Sequence, residues 1–323
     1  MNQANRKFLR LFFATDVHGS ETCFRRFVKA AKFYESDVLV LGGDITGKAI
    51  IPLVEKKDGT YEVEFMGQRQ HIEANQADNL EKRIRDSGYY PRRMTSNEQK
   101  ALRDDPQKLD ELFSEVMHKT LTEWVSYAET ALADTNVVCF LTGGNDDHQE
   151  VLAFAETDHV RNPDNKVVNI SDKHEMANLG WSNPTPWKTP RECSEEELEK
   201  RINDMVHQIR DMPNALFNFH IPPINSSLDT CPMLDDSVNP PKPVFRGGQQ
   251  VLMGGGSSAV RHSVEHYQPL LVVSGHIHES RGLIKIGRTT CVNPGSEYGE
   301  GILRGVILNI GDGKLVSYQF TSG

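Results

Sequence analysis

Cysteine is scarce. Of 323 residues only Cys23, Cys139, Cys193, Cys231 and Cys291 are of this type. They stand singly, none in a C-x-x-C pair, and their number is odd, which argues against a disulfide framework and for a reducing compartment. Long apolar runs are missing as well. Near the N-terminus the run Leu11-Phe12-Phe13-Ala14 is too short for a signal-peptide core, and no stretch approaches the length of a membrane-spanning helix. The chain is therefore read as cytoplasmic, with no membrane span. Positive charge is in deficit too: 36 Lys and Arg against 45 Asp and Glu leave a net charge of −9. That balance gives no general attraction to nucleic acid or anionic lipid. Internal repeats and low-complexity tracts are absent.

What is present is a globular composition, 37% hydrophobic and 25% charged. A chain of this length buries roughly three-quarters of its unfolded surface, so a large core is available, and one domain over 1–323 is expected. Five strand-length apolar runs stand out at residues 9–14, 38–41, 137–141, 215–219 and 270–273. They are continuous rather than alternating, as in strands covered on both faces. Between them, residues 106–133 place Leu109, Phe113, Val116, Leu121, Trp124 and Leu132 on one helical face, and residues 195–212 do likewise with Leu198, Ile202, Met205 and Ile209. Ser194 and Glu197 are spaced as a capping box before the second of these helices. Strands alternating with helices predict an α/β fold.

Two stretches break the rhythm. Residues 50–105 read as an insertion or cap: a hairpin turning at Lys57-Asp58-Gly59, a mixed-charge helix over 78–86, then a turn at Gly88 to Arg93. Residues 221–256, rich in Pro, Gly, Ser and Asp, read as a long loop near the site. Residues 283–320 read as short strands separated by glycine turns.

Each of the five runs leads into polar donors. The first is followed by Thr15-Asp16-Val17-His18-Gly19, the second by Gly42-Gly43-Asp44 and the third by Gly143-Gly144-Asn145-Asp146-Asp147. The fourth ends at His220 before Ile221-Pro222-Pro223, and the fifth runs into Gly275-His276-Ile277-His278. Ligands of α/β sheets bind beyond the carboxyl ends of the strands. Any one of these pieces is a common turn; the ordered set of five is specific. Seven oxygen and nitrogen donors without a thiolate suit two divalent ions such as Mn, Fe, Zn or Ni.

In this order the motifs D-V-H, G-G-D, G-G-N-D, H-I-P-P and G-H-I-H resemble the calcineurin-like metallophosphoesterases. The resemblance runs from Asp16 to His278 and omits the insertion and the tail. It implies a four-layer sandwich in which two mixed β-sheets are flanked by helices. It further implies that Asp16, His18 and His278 hold one metal, that Asn145, His220 and His276 hold a second, and that Asp44 bridges both. Asn293 to Ser296 resembles an element that follows G-H-x-H in phosphodiesterase-like members. The implied chemistry is hydrolysis of a small-molecule phosphate ester by hydroxide, made available near neutral pH by two cations. Asp147 is the expected acceptor orienting one of the histidines.

One position departs from the family, which commonly has His after the motif Asn; here it is Asp146. A carboxylate repels an anionic substrate unless it is protonated or turned towards a cation. The departure favours phosphodiesters over monoesters; His148 is the candidate substitute proton donor, although as a loop histidine it is read first as a solvated side chain.

Other features are weighed and set aside. Gly42 to Lys48 matches a phosphate-loop spacing, but Ala49 stands where Ser or Thr is required, and Lys48 is read as solvated. Tyr89, Tyr90, Arg92 and Arg93 are read as packing the insertion onto the body in preference to capping the site. Gly254 to Ser258 is read as a turn and helix cap, and Trp181 and Trp187 as a candidate cleft lining. Competing functions are a metal-binding interaction scaffold, a nuclease, which the acidic balance disfavours, and a mononuclear oxygenase, which leaves half of the donors unexplained.

Overall fold

The computed structural model describes residues 6–323. The N-terminal stretch weighed as a leader begins at Met1, and its first five residues lie outside the described ones. Chain order runs β1 (Leu9–Ala14), α1 (Glu21–Phe33) and β2 (Val38–Gly42). The insertion follows: β3 (Ile50–Glu55), β4 (Tyr61–Phe65), β5 (Gln68–Ile72), α2 (Ala77–Asp86), β6 (Tyr90–Thr95) and α3 (Ser96–Asp104). Next come α4 (Pro106–Leu132), β7 (Val138–Thr142), β8 (Val160–Arg161), β9 (Val167–Asn169), β10 (Glu175–Leu179), α5 (Glu195–Val206) and β11 (Leu216–Phe219). Six short strands succeed them: β12 (Thr230–Pro232), β13 (Leu234–Asp235), β14 (Lys242–Pro243), β15 (Phe245–Arg246), β16 (Gln249–Gln250) and β17 (Leu252–Gly254). The chain ends with α6 (Ser258–Tyr267), β18 (Leu271–Val273), β19 (Gly282–Ile286), β20 (Thr289–Asn293), β21 (Arg304–Gly311) and β22 (Lys314–Ser322).

Two six-stranded mixed sheets form the centre, ordered β22-β21-β1-β2-β7-β8 and β19-β20-β18-β11-β10-β9. Side-chain alternation along β1 shows how the layers stack. Leu11 and Phe13 face the second sheet and meet Leu216, Leu271 and Val273, while Phe12 and Ala14 face outward against α1 and α4 with Phe24, Phe27, Leu121 and Trp124. The outer face of the second sheet packs Phe217, Phe219 and Val272 on Leu198 and Ile202 of α5 and Val260 and Val264 of α6. Strands buried on both faces thus explain the continuous apolar runs. At about 1.5–3 kcal/mol for each fully buried large apolar side chain, these three clusters dominate the stabilisation. The result is helix, sheet, sheet, helix: the four-layer sandwich that the resemblance implies.

Helix starts follow local chemistry. Ser20, Asp105, Ser194 and Ser257 accept at the first turns of α1, α4, α5 and α6, and Pro106 sits at the start of α4, where no amide hydrogen is needed. At α5 the Ser194 half of the expected box is made, accepting from the Glu197 amide at 3.2 Å.

Three expectations are corrected. The turn expected at Gly88 to Arg93 gives way to β6, which pairs in parallel with β3. It is an edge strand, where Pro91 can sit without breaking a ladder on both sides. Residues 221–256 are not a plain loop. They carry three short antiparallel ladders, β12–β17, β13–β14 and β15–β16. The C-terminal strands do not complete one half: β19 and β20 join the second sheet, whereas β21 and β22 extend the first beside β1.

Candidate metal centre

Five parallel strands, β1, β2 and β7 of one sheet and β11 and β18 of the other, end at the same edge of the sandwich. The loops leaving them bring the expected donors together. Asp16, His18 and His278 form one group and Asp44, His220 and His276 a second, each with its ligand atoms within 4.8 Å of one another. Asn145 joins the second group, its Oδ1 lying 2.7 Å from His276 Nδ1. Asp44 stands between the groups: its Oδ2 is 3.3 Å from His220 Nε2 and 3.6 Å from His18 Nε2. Asp16, His18, Asp44, Asn145 and His220 are buried, and His276 and His278 are half-buried.

The backbone is bent to make this convergence. Asp16, His18, Asp44 and His276 all take positive φ, from 41° to 63°. Such conformations cost of the order of 1–3 kcal/mol each in non-glycine residues and persist only where surrounding structure imposes them. Here it does: the amides of Asp16, His18 and Gly19 donate to the carbonyls of Gly43, Asp44 and Ile45, and the His276 amide donates to both oxygens of Asp16 at 3.1 and 3.0 Å. Glycine is required where loops touch: a Cβ on Gly144 would lie 2.1 Å from Asp44 Oδ1, and one on Gly43 2.2 Å from His220 Nδ1.

The donor set fits cations. His220 Nδ1 lies 3.1 Å from the carbonyl of Gly42, which can only accept, so this nitrogen carries the hydrogen. Its Nε2 is buried without a hydrogen-bond partner and faces the oxygens of Asp44 and Asp16 at 3.3 and 3.8 Å. His18 Nε2 and His278 Nε2 likewise lie 3.2 Å apart, with Asp16 Oδ1 3.2 Å from the latter. Electron-rich atoms crowded in this way need positive charge between them. Protons answer the same crowding. Burial pulls His220 down, but Asp44 and Asp16 outweigh it and raise the imidazole to about 9. Burial and the charge on His220 push His276 down to about 4. Burial raises Asp16, yet His220 and His278 hold its carboxyl well below the usual range.

Asp146 and Lys48 stand at the mouth. Lys48 is exposed, as expected, yet it is not unpartnered: its Nζ pairs with Asp146 Oδ2 at 3.0 Å, and that carboxylate lies 3.6 Å from His18 Nδ1. Burial lowers the ammonium, but Asp146 and Asp44 hold its pKa above the usual lysine value. The carboxylate at this position is turned to a cation, one of the two escapes from repulsion named above. His148 points elsewhere, with Glu150 at 3.4 Å and the ring of Phe113 as its neighbours.

Asp147 orients no histidine. Fully buried, it accepts from the amides of Gly144, Ile45 and Thr46 and from the Thr46 hydroxyl, at 2.6 to 3.0 Å. It therefore clamps the loop after β7 to the loop after β2. Burial and the nearby Asp44 raise it to about 6. Ser296, in the Asn-Pro-Gly-Ser turn, donates to the Asp16 carbonyl at 2.6 Å, and Asn293 donates to the carbonyls of Gly275 and Ile277. That turn thus fixes two donor loops.

Features set aside above resolve cleanly. Tyr90 is buried and accepts from the Gly47 amide at 2.7 Å, which pins the insertion to the body. Arg93 pairs with Glu81 and Asp78 within the insertion. The start of α6 is filled by Glu195, which accepts from Ser257 Oγ and from the amides of Ser258 and Ala259. Trp181 packs under Arg201, 4.2 Å from its ring centre, and Trp187 is exposed.

Two neighbours of the donor groups escaped sequence reasoning. Tyr298 lies with its ring centre 4.6 Å from that of His18, forming a wall of the site; its place two residues past the Asn-Pro-Gly-Ser turn is the available signal. Thr189 accepts from Asn145 Nδ2 at 2.7 Å, and nothing in its Pro-rich surroundings marks it.

No protein-family model matches the chain. A segment of 153 residues, 47% of this chain, is 31% identical to an uncharacterized protein of Methanocaldococcus jannaschii and covers 61% of that relative, less than two thirds of its length. One solved structure superposes with a TM-score of 0.58 at 16% identity over 98% of both chains. Another, from Thermus thermophilus, superposes at 0.52 with 14% identity, again over 98% of both. At these identities the likeness is one of fold. No helix among the described residues is long and apolar enough to cross a membrane.

Proposed function

We propose that this chain, built on the fold of the calcineurin-like metallophosphoesterases, is a dinuclear metal-dependent phosphoesterase that favours phosphodiesters. One observation carries the reading: Asp44 lies within 3.6 Å of His18 and 3.3 Å of His220, so a single carboxylate serves both donor groups. A carboxylate can bridge two cations, whereas an imidazole nitrogen binds one. In this reading Asp16, His18 and His278 hold one ion, Asn145, His220 and His276 hold the other, and Asp44 holds both. Mn, Fe, Zn and Ni suit such ligands. Bound there, two ions supply Lewis acidity towards the phosphoryl oxygens and a hydroxide nucleophile near neutral pH. All five cysteines are free thiols, which supports a reducing, cytoplasmic setting.

The residues at the mouth support the diester preference. Lys48 offers its ammonium to a non-bridging phosphoryl oxygen, and Asp146 holds that ammonium in place at 3.0 Å. Burial and the nearby Asp44 raise the Asp146 carboxyl, but Lys48 opposes them and holds it as an acceptor, which makes it a poor proton donor to a departing alkoxide. Esters with good leaving groups are therefore preferred. A phosphomonoester carries about two negative charges near neutral pH and a diester one, and the carboxylate at the mouth opposes the second charge.

The test is hydrolysis of bis-p-nitrophenyl phosphate and p-nitrophenyl phosphate by metal-stripped protein, with Mn, Ni, Zn or Mg restored and Asp146→His run alongside. Diester cleavage that needs metal, with monoester cleavage rising in Asp146→His, supports the reading. Protein that binds two ions yet cleaves neither ester would replace it with the interaction-scaffold reading.

A further inference from the structure

We infer that Thr189, backed by Glu192, is the positioning residue that turns the Asn145 amide so that its oxygen faces the metal centre. The inference rests on the metal-centre reading above and addresses a problem that reading creates. The two ends of an asparagine amide are nearly equal in shape, but only the oxygen has a lone pair for a cation. A loop that merely delivered Asn145 to the site would leave the choice of end open.

Hydrogen-bond direction closes it. Glu192 is kept ionised: burial raises its carboxyl, but hydrogen bonds from Thr185 and Thr189 hold it below the usual range. An ionised carboxylate can only accept. Its Oε1 receives the Thr185 hydroxyl at 2.6 Å, the Thr189 amide at 2.8 Å and the Thr189 hydroxyl at 2.7 Å. The single hydroxyl hydrogen of Thr189 is thereby spent, and its oxygen presents a lone pair to Asn145. The amide nitrogen answers it, with Nδ2 donating to Thr189 Oγ1 at 2.7 Å. Oδ1 is left facing His276 Nδ1 at 2.7 Å. To flip the amide, Thr189 would have to give up a charge-assisted bond for a neutral one, which is roughly half as strong. The loop is held in register from behind, because the Arg191 amide donates to the Asn145 carbonyl at 3.0 Å. Thr189 lies outside every motif of the centre, and its contribution acts entirely through Asn145.

The probe is Mn²⁺ titrated calorimetrically into the metal-stripped full chain, which reads binding without turnover. Thr189→Val keeps the side chain's shape and removes the hydroxyl. One of the two Mn²⁺ sites is expected to weaken by about 10–100-fold, the usual scale for losing a group that orients a ligand, with the other site unmoved. Thr189→Ser, which keeps the hydroxyl, is expected to bind like the parent. In an Asn145→Asp background either carboxylate oxygen can serve, so Thr189→Val is expected to cost nothing further there. Unchanged binding in Thr189→Val overturns the inference. So does a loss that persists undiminished on the Asn145→Asp background, since Thr189 would then be a prop for the loop. A parent protein that binds no Mn²⁺ defeats the metal-centre reading itself and takes this inference with it.

Discussion

The two sheets bring unlike halves to the centre. The first, through the loops after β1, β2 and β7, contributes both carboxylates, the amide of Asn145 and His18; the second, after β11 and β18, contributes three imidazoles. Negative charge is thus concentrated on one side of the seam and imidazole nitrogens on the other. The same division governs titration. His220 reaches across to Asp44 and Asp16 and is raised to about 9, whereas His276, beside His220, is lowered to about 4. Two histidines with ring centres 5.4 Å apart move in opposite directions according to what they face. The seam, and not either sheet alone, is the unit that could hold a cation.

Removing the one residue common to both donor groups should break this arrangement most severely. Asp44→Ala is expected to abolish metal-dependent diester cleavage, by about 10³-fold or more, as befits Lewis-acid stabilisation worth several kcal/mol. Metal analysis after dialysis should show fewer than two ions per chain. Full occupancy with ordinary rates would separate the two groups and end the bridging reading.

A smaller effect probes the closeness of the halves within the first sheet. The Cβ of Gly144→Ala would sit 2.1 Å from Asp44 Oδ1 and 2.4 Å from its amide nitrogen. Overpacking of this kind costs about 1–3 kcal/mol, so thermal or denaturant unfolding should shift by that amount, and metal binding should weaken with it. Gly299→Ala has open space around its Cβ and is the control. Equal stability of the two variants would mean that the loops after β2 and β7 can part freely.

The opposite titrations give a pH test on metal-stripped protein. His220, raised from 6.5 to about 9, binds its proton more tightly when folded. Its contribution is complete below pH 6.5 and is lost as pH rises through 9. His276, lowered from 6.5 to about 4, contributes above pH 6.5 and loses that contribution as pH falls towards 4. Between them the pair makes the melting temperature highest near 6.5. His220→Asn should lessen the decline on the alkaline side only, leaving the share of His278, which burial lowers but Asp16 raises overall. Restored Mn²⁺ should flatten it, because a ligating imidazole is held neutral. A melting profile that rises steadily from pH 6.5 to 9 in the stripped parent would contradict the assignment.

The convergence of the candidate donors was far more legible than what supports them. Residues 9–14, 38–41, 137–141, 215–219 and 270–273 were readable because strands covered on both faces must be apolar throughout, so the polar residues that end them stand out. Asp16, His18, Asp44, Asn145, His220, His276 and His278 stand among those polar residues, and the resemblance to the metallophosphoesterase motifs singles them out as donors. The arm over 230–254 was not readable. Its ladders are two or three residues long and mostly bury neither face, as exposed Phe245, Leu252 and Met253 show, so no alternation is written into them. Lys48 carries no mark of its partner Asp146, which lies far along the chain. Asp147 was misread because a carboxylate beside a ligand suits an imidazole or a backbone amide equally well, and here it met the amides of Ile45 and Thr46. Thr189 was invisible for a related reason: the direction of a hydroxyl hydrogen depends on Glu192 and Asn145 together, which no local pattern encodes.

The weakest effect is expected at His148, and it sharpens the contrast between the seam and its rim. As a loop residue two positions past Asp146, this histidine is the natural candidate to replace the missing proton donor. Yet its Nδ1 lies 3.4 Å from Glu150, and its ring meets Phe113 of α4 edge-on at 6.4 Å. A general acid has to come within hydrogen-bond reach of the leaving oxygen, directly or through one water, and a side chain engaged with α4 and Glu150 is turned from that place. His148→Ala is therefore expected to leave kcat for bis-p-nitrophenyl phosphate within about twofold of the parent, well short of the roughly 10²–10⁴-fold that general acid catalysis contributes. The acidic limb of the pH–rate profile should be unmoved. A hundredfold fall in kcat with KM and metal content preserved would show that the loop swings inward during turnover, and would return the proton to His148.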